Sequence, residues 1–199
     1  MSRLWKPLSS LLIAGGVLLA LWPVGQTVYG RWSQRNLAQE FAREEKSFPK
    51  HPPKVKATKV VAPRKAVIAP WPLTKITISD ISLDSYVVQG WDESNLRRGP
   101  AHYERSSPPG EGNCVIAGHR NVYGSPFGDL DRLMAGENIV LSNRNGTFNY
   151  VVDSISSVSA TDWSVTAPPP PGGIPVLTLL TCTLPHTPSR VMIKALLVQ

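Results

Sequence analysis

Thr178-Leu179-Leu180-Thr181-Cys182 is an apolar run of β character that closes on a thiol; His119 stands 63 positions earlier in Ala117-Gly118-His119-Arg120, and Arg190 follows eight positions later. A thiol at its ordinary pKa of about 8.5 is only a few per cent thiolate near neutrality. It becomes a useful nucleophile where an imidazole close in space shares or takes its proton. A guanidinium keeps its proton and offers a rigid fork of donors, which suits the oxyanion formed when a thiolate attacks a carbonyl. The three groups together predict acyl transfer through a thioester, with His119, Cys182 and Arg190 as the catalytic residues.

The bland alternatives are a packed cysteine, a satisfied strand-end histidine and a salt-bridging arginine at a strand start. Cys182 stands at a strand end ahead of the turn-like Thr183-Leu184-Pro185-His186-Thr187-Pro188-Ser189, where reacting groups become accessible. Cys114 is different. Five residues of strand put it about 16 Å from His119, too far to sit beside a cysteine that faces His119. It is expected as a small buried apolar residue, with no disulfide. His186 follows Cys182 closely enough to line a cleft, His51 lies in a solvated segment, and His102 reads as a loop residue.

The elements that must position these groups are mainly strands. Residues 75–79, 82–88, 112–119, 138–142, 147–152, 175–182 and 190–198 are short runs of β-branched or aromatic residues with Gly, Pro and Asn between them. That pattern predicts a barrel or sandwich rather than a parallel α/β sheet. One helix is expected after Ser125-Pro126, with Leu130, Leu133 and Met134 as its apolar stripe and Gly136 as its end. Asp129 and Asp131 then read as acids of the helix start and not as a metal pair. No zinc-type ligand spacing or Gly-rich phosphate loop is present, and Pro168–Gly173 reads as a stiff loop.

The formal charge of +7 invites a nucleic-acid reading, but residues 1–70 carry twelve Lys/Arg and three Asp/Glu, against nine and eleven in residues 71–199. The basic excess belongs to the leading segment, so nucleic acid is excluded as the partner of the folded part. Pro7 to Gly30 holds no charged residue over 24 positions, enough as a helix to extend about 36 Å across a hydrocarbon core of about 30 Å. Arg3 and Lys6 before it favour a cytoplasmic N-terminus, and a cleaved signal peptide is the rival reading. The organisation expected is an N-terminus and membrane anchor over 1–30, a juxtamembrane and Lys/Pro-rich linker over 31–72, and a catalytic domain over 73–199. The helix is expected to continue some turns beyond Arg31.

At this point the chain resembles the sortases, membrane-anchored cysteine transpeptidases. Thr178-Leu179-Leu180-Thr181-Cys182 matches the family's T-L-x-T-C, Gly112-Asn113-Cys114-Val115-Ile116-Ala117-Gly118-His119 matches its G-N-x-x-I-A-G-H, and Arg190 falls where the family keeps its arginine. The resemblance runs from about Lys75 to the C-terminus. It implies a mostly β fold: a closed barrel of about eight strands with one or two short helices, preceded by a transmembrane helix. The N-terminal anchor suggests class D or class E. It implies cleavage of an LPxTG-like sorting motif, with Cys182 attacking a Thr-Gly-type carbonyl, Arg190 holding the oxyanion or the substrate, and His119 protonating the leaving amine. Thr181 and His186 are its candidate substrate-binding residues, with no metal and no cofactor.

The partners it implies are proteins with a C-terminal sorting signal and an acceptor amine, from a peptidoglycan stem peptide or a pilin lysine. The location implied is the cell membrane, single-pass, with the catalytic domain extracytoplasmic. Ala69-Pro70-Trp71 lacks the aspartate of an Asp-Pro-aromatic lid, which counts against a lid-regulated pilin polymerase. The rival readings are another cysteine acyl-transfer enzyme of the wall, such as an L,D-transpeptidase, whose Ser-His-Gly-Cys signature is absent, and a non-catalytic anchored β module.

Overall fold

The computed structural model of the chain describes residues 5–46, 71–183 and 188–198. Eight strands close into a barrel: β1 Thr74–Ile78, β2 Leu83–Gln89, β3 Ala101–His102, β4 Asn113–Ala117, β5 Asn138–Asn143, β6 Gly146–Ser159, β7 Val176–Cys182 and β8 Ser189–Leu197. Their order around the wall is β1-β2-β3-β4-β7-β8-β6-β5, with β5 pairing back to β1. The pairs β2·β3 and β4·β7 are parallel and the rest antiparallel. Closure removes the free sheet edges that would otherwise template aggregation. The inward side chains, among them Ile76, Val87, Ile116, Leu141, Tyr150, Leu179 and Ile193, make one continuous core.

Cys114 is fully buried in that core and free, as its sequence context predicts. Burial pushes its thiol well up from the ordinary range, since the low-dielectric interior disfavours the thiolate.

The expected helix after Ser125-Pro126 is instead a series of turns with a single 3-10 turn at Leu130–Arg132. Ser125 and Tyr123 sit at positive φ, so Ser125 is no helix cap. Phe127, Leu130 and Leu133 are buried while Met134 is exposed. Apolar residues spaced by three suit 3-10 geometry, whose side chains superpose at i and i+3. Asp129 and Asp131 each face an arginine, Asp129 Oδ1 at 3.5 Å from Arg132 and Asp131 Oδ2 at 2.6 Å from Arg120. A short helix that the sequence did not announce, α2 (Glu93–Leu96), is capped by the Asp92 carboxylate, which accepts from the Ser94 and Asn95 backbone N–H groups.

A long helix, α1 (Trp5–Glu45), precedes the barrel. It passes unbroken through Pro23, whose carbonyl accepts a 3.0 Å bond from the Thr27 hydroxyl. From the last residue of the charge-free run onward, Gly30, Ser33, Leu37 and Phe41 form one buried stripe, the i, i+3, i+7, i+11 pattern of a helix that packs on a surface. The Phe41 ring meets Tyr86 of β2 at 5.3 Å. The Lys/Pro-rich stretch over residues 48–72 lies outside the described residues up to residue 70, as does His51.

His102 is a buried strand residue and not a loop residue: its ring stacks on Trp71 at 3.8 Å, and Nε2 donates to the Ser107 carbonyl at 3.1 Å. Burial lowers its pKa from 6.5 to about 4. Below pH 6.5 the unfolded chain takes up a proton that the folded chain refuses. Stability is therefore expected to fall between about pH 6.5 and pH 4, by on the order of 3 kcal/mol, and to level off below. Denaturant unfolding of the barrel at pH 7 and at pH 4.5 measures it. His102→Gln should remove most of that acid-dependent loss, and an unchanged pH slope would show that His102 is not its source.

Candidate active site

Three neighbouring strands deliver the three reactive groups to one end of the barrel. Parallel pairing sets Ala117 of β4 beside Leu180 of β7, and the Gly118 N–H continues the ladder to the Leu180 carbonyl at 3.0 Å. His119 and Cys182 each lie two residues further along, so both emerge together. Antiparallel pairing of β7 and β8 sets Arg190 directly across from Cys182, and the far half of β6 holds Arg190 from the other side through Val158. Adjacent strands are separated by about 4.8 Å. The thiol, the imidazole and the guanidinium line one cleft of about 310 Å³, whose walls include Trp91, Leu96, Trp163 and Val165.

The motif residues around the reactive ones fasten these strands to one another. The Thr181 hydroxyl donates to the Gly118 carbonyl at 2.9 Å, and the Thr178 hydroxyl to Asn113 Oδ1 at 2.9 Å. Both threonines of the cysteine strand thus bind the histidine strand. Asn113 Nδ2 then reaches the carbonyls of Val165 and Ala167, at 2.9 and 3.0 Å, and pins the segment that carries the cleft wall. Gly118 leaves no room for a side chain, because a Cβ there would stand 2.7 Å from the Phe127 ring. Thr181 lines the cleft but is buried with its hydroxyl engaged. His186 lies outside the described residues.

His119 is partly buried, and Nε2 makes no hydrogen bond among the described residues. Desolvation lowers the pKa of its imidazole below the usual 6.5, while the charge of Glu93 pulls it up and that of Arg97 pushes it down. The Tyr123 ring lies 5.2 Å from the imidazole, and the Arg97 guanidinium stands 5.7 Å over the other ring. Arg190 donates to the Ser189 carbonyl at 3.1 Å and has no carboxylate partner among the described residues. A salt-bridging role at a strand start would have required one.

Two features lay beyond the sequence reading. Arg120 Nη1 donates to the Cys182 carbonyl at 3.3 Å while Nη2 pairs with Asp131, so a second guanidinium holds the end of the cysteine strand. Its place next to His119 was the available signal. Trp91, Tyr103 and Trp163 form a cluster with ring centroids 4.6 to 6.1 Å apart beside the cleft. They come from three separate connections between strands, Trp163 from a 3-10 turn (Trp163–Thr166), and no spacing in the sequence links them.

Residues 76–198 match the family model described as the sortase domain. The chain belongs to the sortase family. Sortase A of Bacillus anthracis is 29% identical over 182 residues, covering 86% of this chain and 83% of that protein. Among solved structures, a sortase D5 transpeptidase of Clostridium perfringens has a TM-score of 0.63 at 22% identity, covering 86% of this chain and 99% of that one, and is a likeness of fold. Sortase E of Streptomyces avermitilis has a TM-score of 0.57 at 31% identity, covering 64% of this chain and 88% of that one. Membership makes the chain a cysteine transpeptidase on a closed β-barrel.

The sortase fold gives its two thiols opposite surroundings, since Cys182 lines the cleft and Cys114 is sealed in the core. Iodoacetamide is expected to add one equivalent to the native chain, on Cys182, and a second only after denaturation. Peptide mapping checks this, and modification of Cys114 at a similar rate in the folded chain would contradict the assignment.

Proposed function

We propose that the chain is a single-pass membrane sortase whose extracytoplasmic barrel cleaves an LPxTG-like sorting motif and passes the acyl group to an amine of the cell envelope or a pilin. The observation that carries the reading is the convergence of Cys182, His119 and an arginine without a carboxylate partner among the described residues, in one cleft. In the proposed mechanism the Cys182 thiolate attacks the carbonyl of a Thr-Gly-type bond. Arg190 donates to the developing oxyanion, or to the peptide backbone beside it. As the tetrahedral centre collapses, the C–N bond breaks and His119 gives its proton to the departing amine. An incoming amine then attacks the thioester, returns a proton to His119 and releases Cys182.

Burial of His119 favours its neutral form, so the imidazolium needed for amine protonation is a minority species at neutral pH. The aromatic and aliphatic wall of Trp91, Leu96, Trp163 and Val165 supports an apolar or proline-containing peptide as the occupant, because flat rings bury such residues at little entropic cost. The α1 segment supports the anchor: the span from Leu11 is apolar and long enough to cross a bilayer. Arg3 and Lys6 ahead of it favour a cytoplasmic N-terminus, which leaves the barrel outside.

The test uses the full chain in detergent with sorting peptides. Cys182→Ala should abolish transpeptidation with the fold retained. Arg190→Lys keeps the charge but loses the fork, and is expected to cost on the order of 10² or more in kcat/KM, since one preorganised donor is worth roughly 2.7 to 4 kcal/mol. Near-wild-type turnover by a folded Arg190→Ala would remove Arg190 from the mechanism. Release of peptidoglycan-derived products in place of sorting-peptide products would instead favour an L,D-transpeptidase.

A further inference from the structure

Helix α1 packs on the loop that follows His119 and on strand β2. Gln34, four residues or about 6 Å beyond Gly30, uses both ends of its amide: Oε1 accepts from the Tyr86 N–H at 2.7 Å and the Ser85 hydroxyl at 2.9 Å, while Nε2 donates to the Tyr86 and Arg98 carbonyls at 3.1 and 2.9 Å. Every direction of the side chain is occupied by strand β2 or by the turn after α2. One helical turn earlier, Gly30 packs so closely on the backbone of Tyr123 that a Cβ would run into the Tyr123 carbonyl.

Both contacts bear on Tyr123. Its backbone is touched directly by Gly30. Its ring is covered by Arg97, which is the neighbour of the Arg98 held by Gln34 and is tied to Glu93 at 3.1 Å. The Tyr123 ring also meets His119 at 5.2 Å. In a hydrolase triad a carboxylate orients the imidazole. Here no carboxylate contacts His119 within hydrogen-bond reach among the described residues, and Nε2 has no partner. Among the described residues, the aromatic ring in contact with the imidazole is Tyr123, tilted 43° to it.

We propose that Gly30 and Gln34 of the membrane helix are positioning residues for His119, acting through Tyr123, so that α1 is a working part of the active site and not only an anchor. The proposal rests on the assignment of His119 as the proton carrier. The charged and titratable groups around the imidazole are Glu93 and Arg97 of the α2 wall, Tyr123 of its own loop, Cys182 and Arg190 of β7 and β8, and Asp162 at the cleft wall. A change at Gln34 adds or removes none of these charges, and Tyr123→Ala, which leaves Glu93 and Arg97 in place, separates lost packing from a displacement of Arg97.

The experiment compares the wild-type full chain in nanodiscs with Gln34→Leu, which keeps the helix and loses the bonds, and with Gly30→Ala and Tyr123→Ala. The midpoint of His119 is read by NMR titration of isotope-labelled histidine, and kcat and KM on a soluble sorting peptide. Gln34→Leu and Gly30→Ala are expected to lower kcat roughly ten- to a hundredfold with little change in KM. They should also raise the His119 midpoint towards 6.5 as water reaches the ring. Tyr123→Phe should behave as wild type, and Gln34→Leu combined with Tyr123→Ala should be no worse than Tyr123→Ala alone. A folded Gln34→Leu and Gly30→Ala pair with wild-type kcat and an unmoved His119 midpoint overturns the proposal. A wild-type chain inactive on every peptide overturns the functional reading instead, and the NMR midpoints still decide this one.

Discussion

The parallel pairing of β4 with β7 is the constraint on which the site depends. Its register, Ala117 beside Leu180, sets His119 and Cys182 at the same level of the barrel, and a slip of one residue would turn one of them to the opposite face. Parallel ladders have slanted hydrogen bonds and are slightly less stable per residue than antiparallel ones. Two threonine side chains add to this one. Thr178 and Thr181 bond across to Asn113 and Gly118, so the register is fixed by side chains as well as by backbone. The antiparallel β7·β8 ladder then needs only to place Arg190 opposite Cys182.

That arrangement gives physical meaning to motif residues that carry no chemistry themselves. Asn113 ties β4 to β7 and to the Val165–Ala167 segment at once, so the cleft wall moves with the strand that leads to His119. Gly118 lets the chain pass under Phe127 on its way to His119. Arg120 holds the Cys182 carbonyl while Asp131 holds Arg120. The turn segment in which Phe127, Leu130 and Leu133 are buried thereby gains a connection to the end of the cysteine strand.

Much of this was legible in the sequence. Short β-type runs with turn punctuation announced the all-β class, and the spacing of three motifs announced the grouping of Cys182, His119 and Arg190. Three things were hidden. The second half of β6, Asp153 to Ser159, reads as mostly polar, with Ile155 and Val158 apart, because most of it is solvent-exposed; its pairing with β8 is what makes it a strand. The two-residue β3 is too short to leave a periodic signal, so His102 passed for a loop residue. The apolar positions at Leu130, Leu133 and Met134 fit a helix stripe equally well, and only burial separates a period of three from one of 3.6. The docking face of α1 was visible as scattered apolar residues, but its partner on β2 lies about 50 residues away along the chain.

The central claim is that Cys182 carries the acyl group, and intact-mass analysis tests it most directly. The full chain in detergent is incubated with Leu-Pro-x-Thr-Gly and Leu-Ala-x-Thr-Gly peptides, without an added amine, and quenched in acid. The account predicts an adduct with the mass of the acyl fragment ending at threonine, mapped to Cys182, cleared by hydroxylamine and absent in Cys182→Ala. Peptide turnover with no adduct on Cys182, or an adduct that persists in Cys182→Ala, would contradict it.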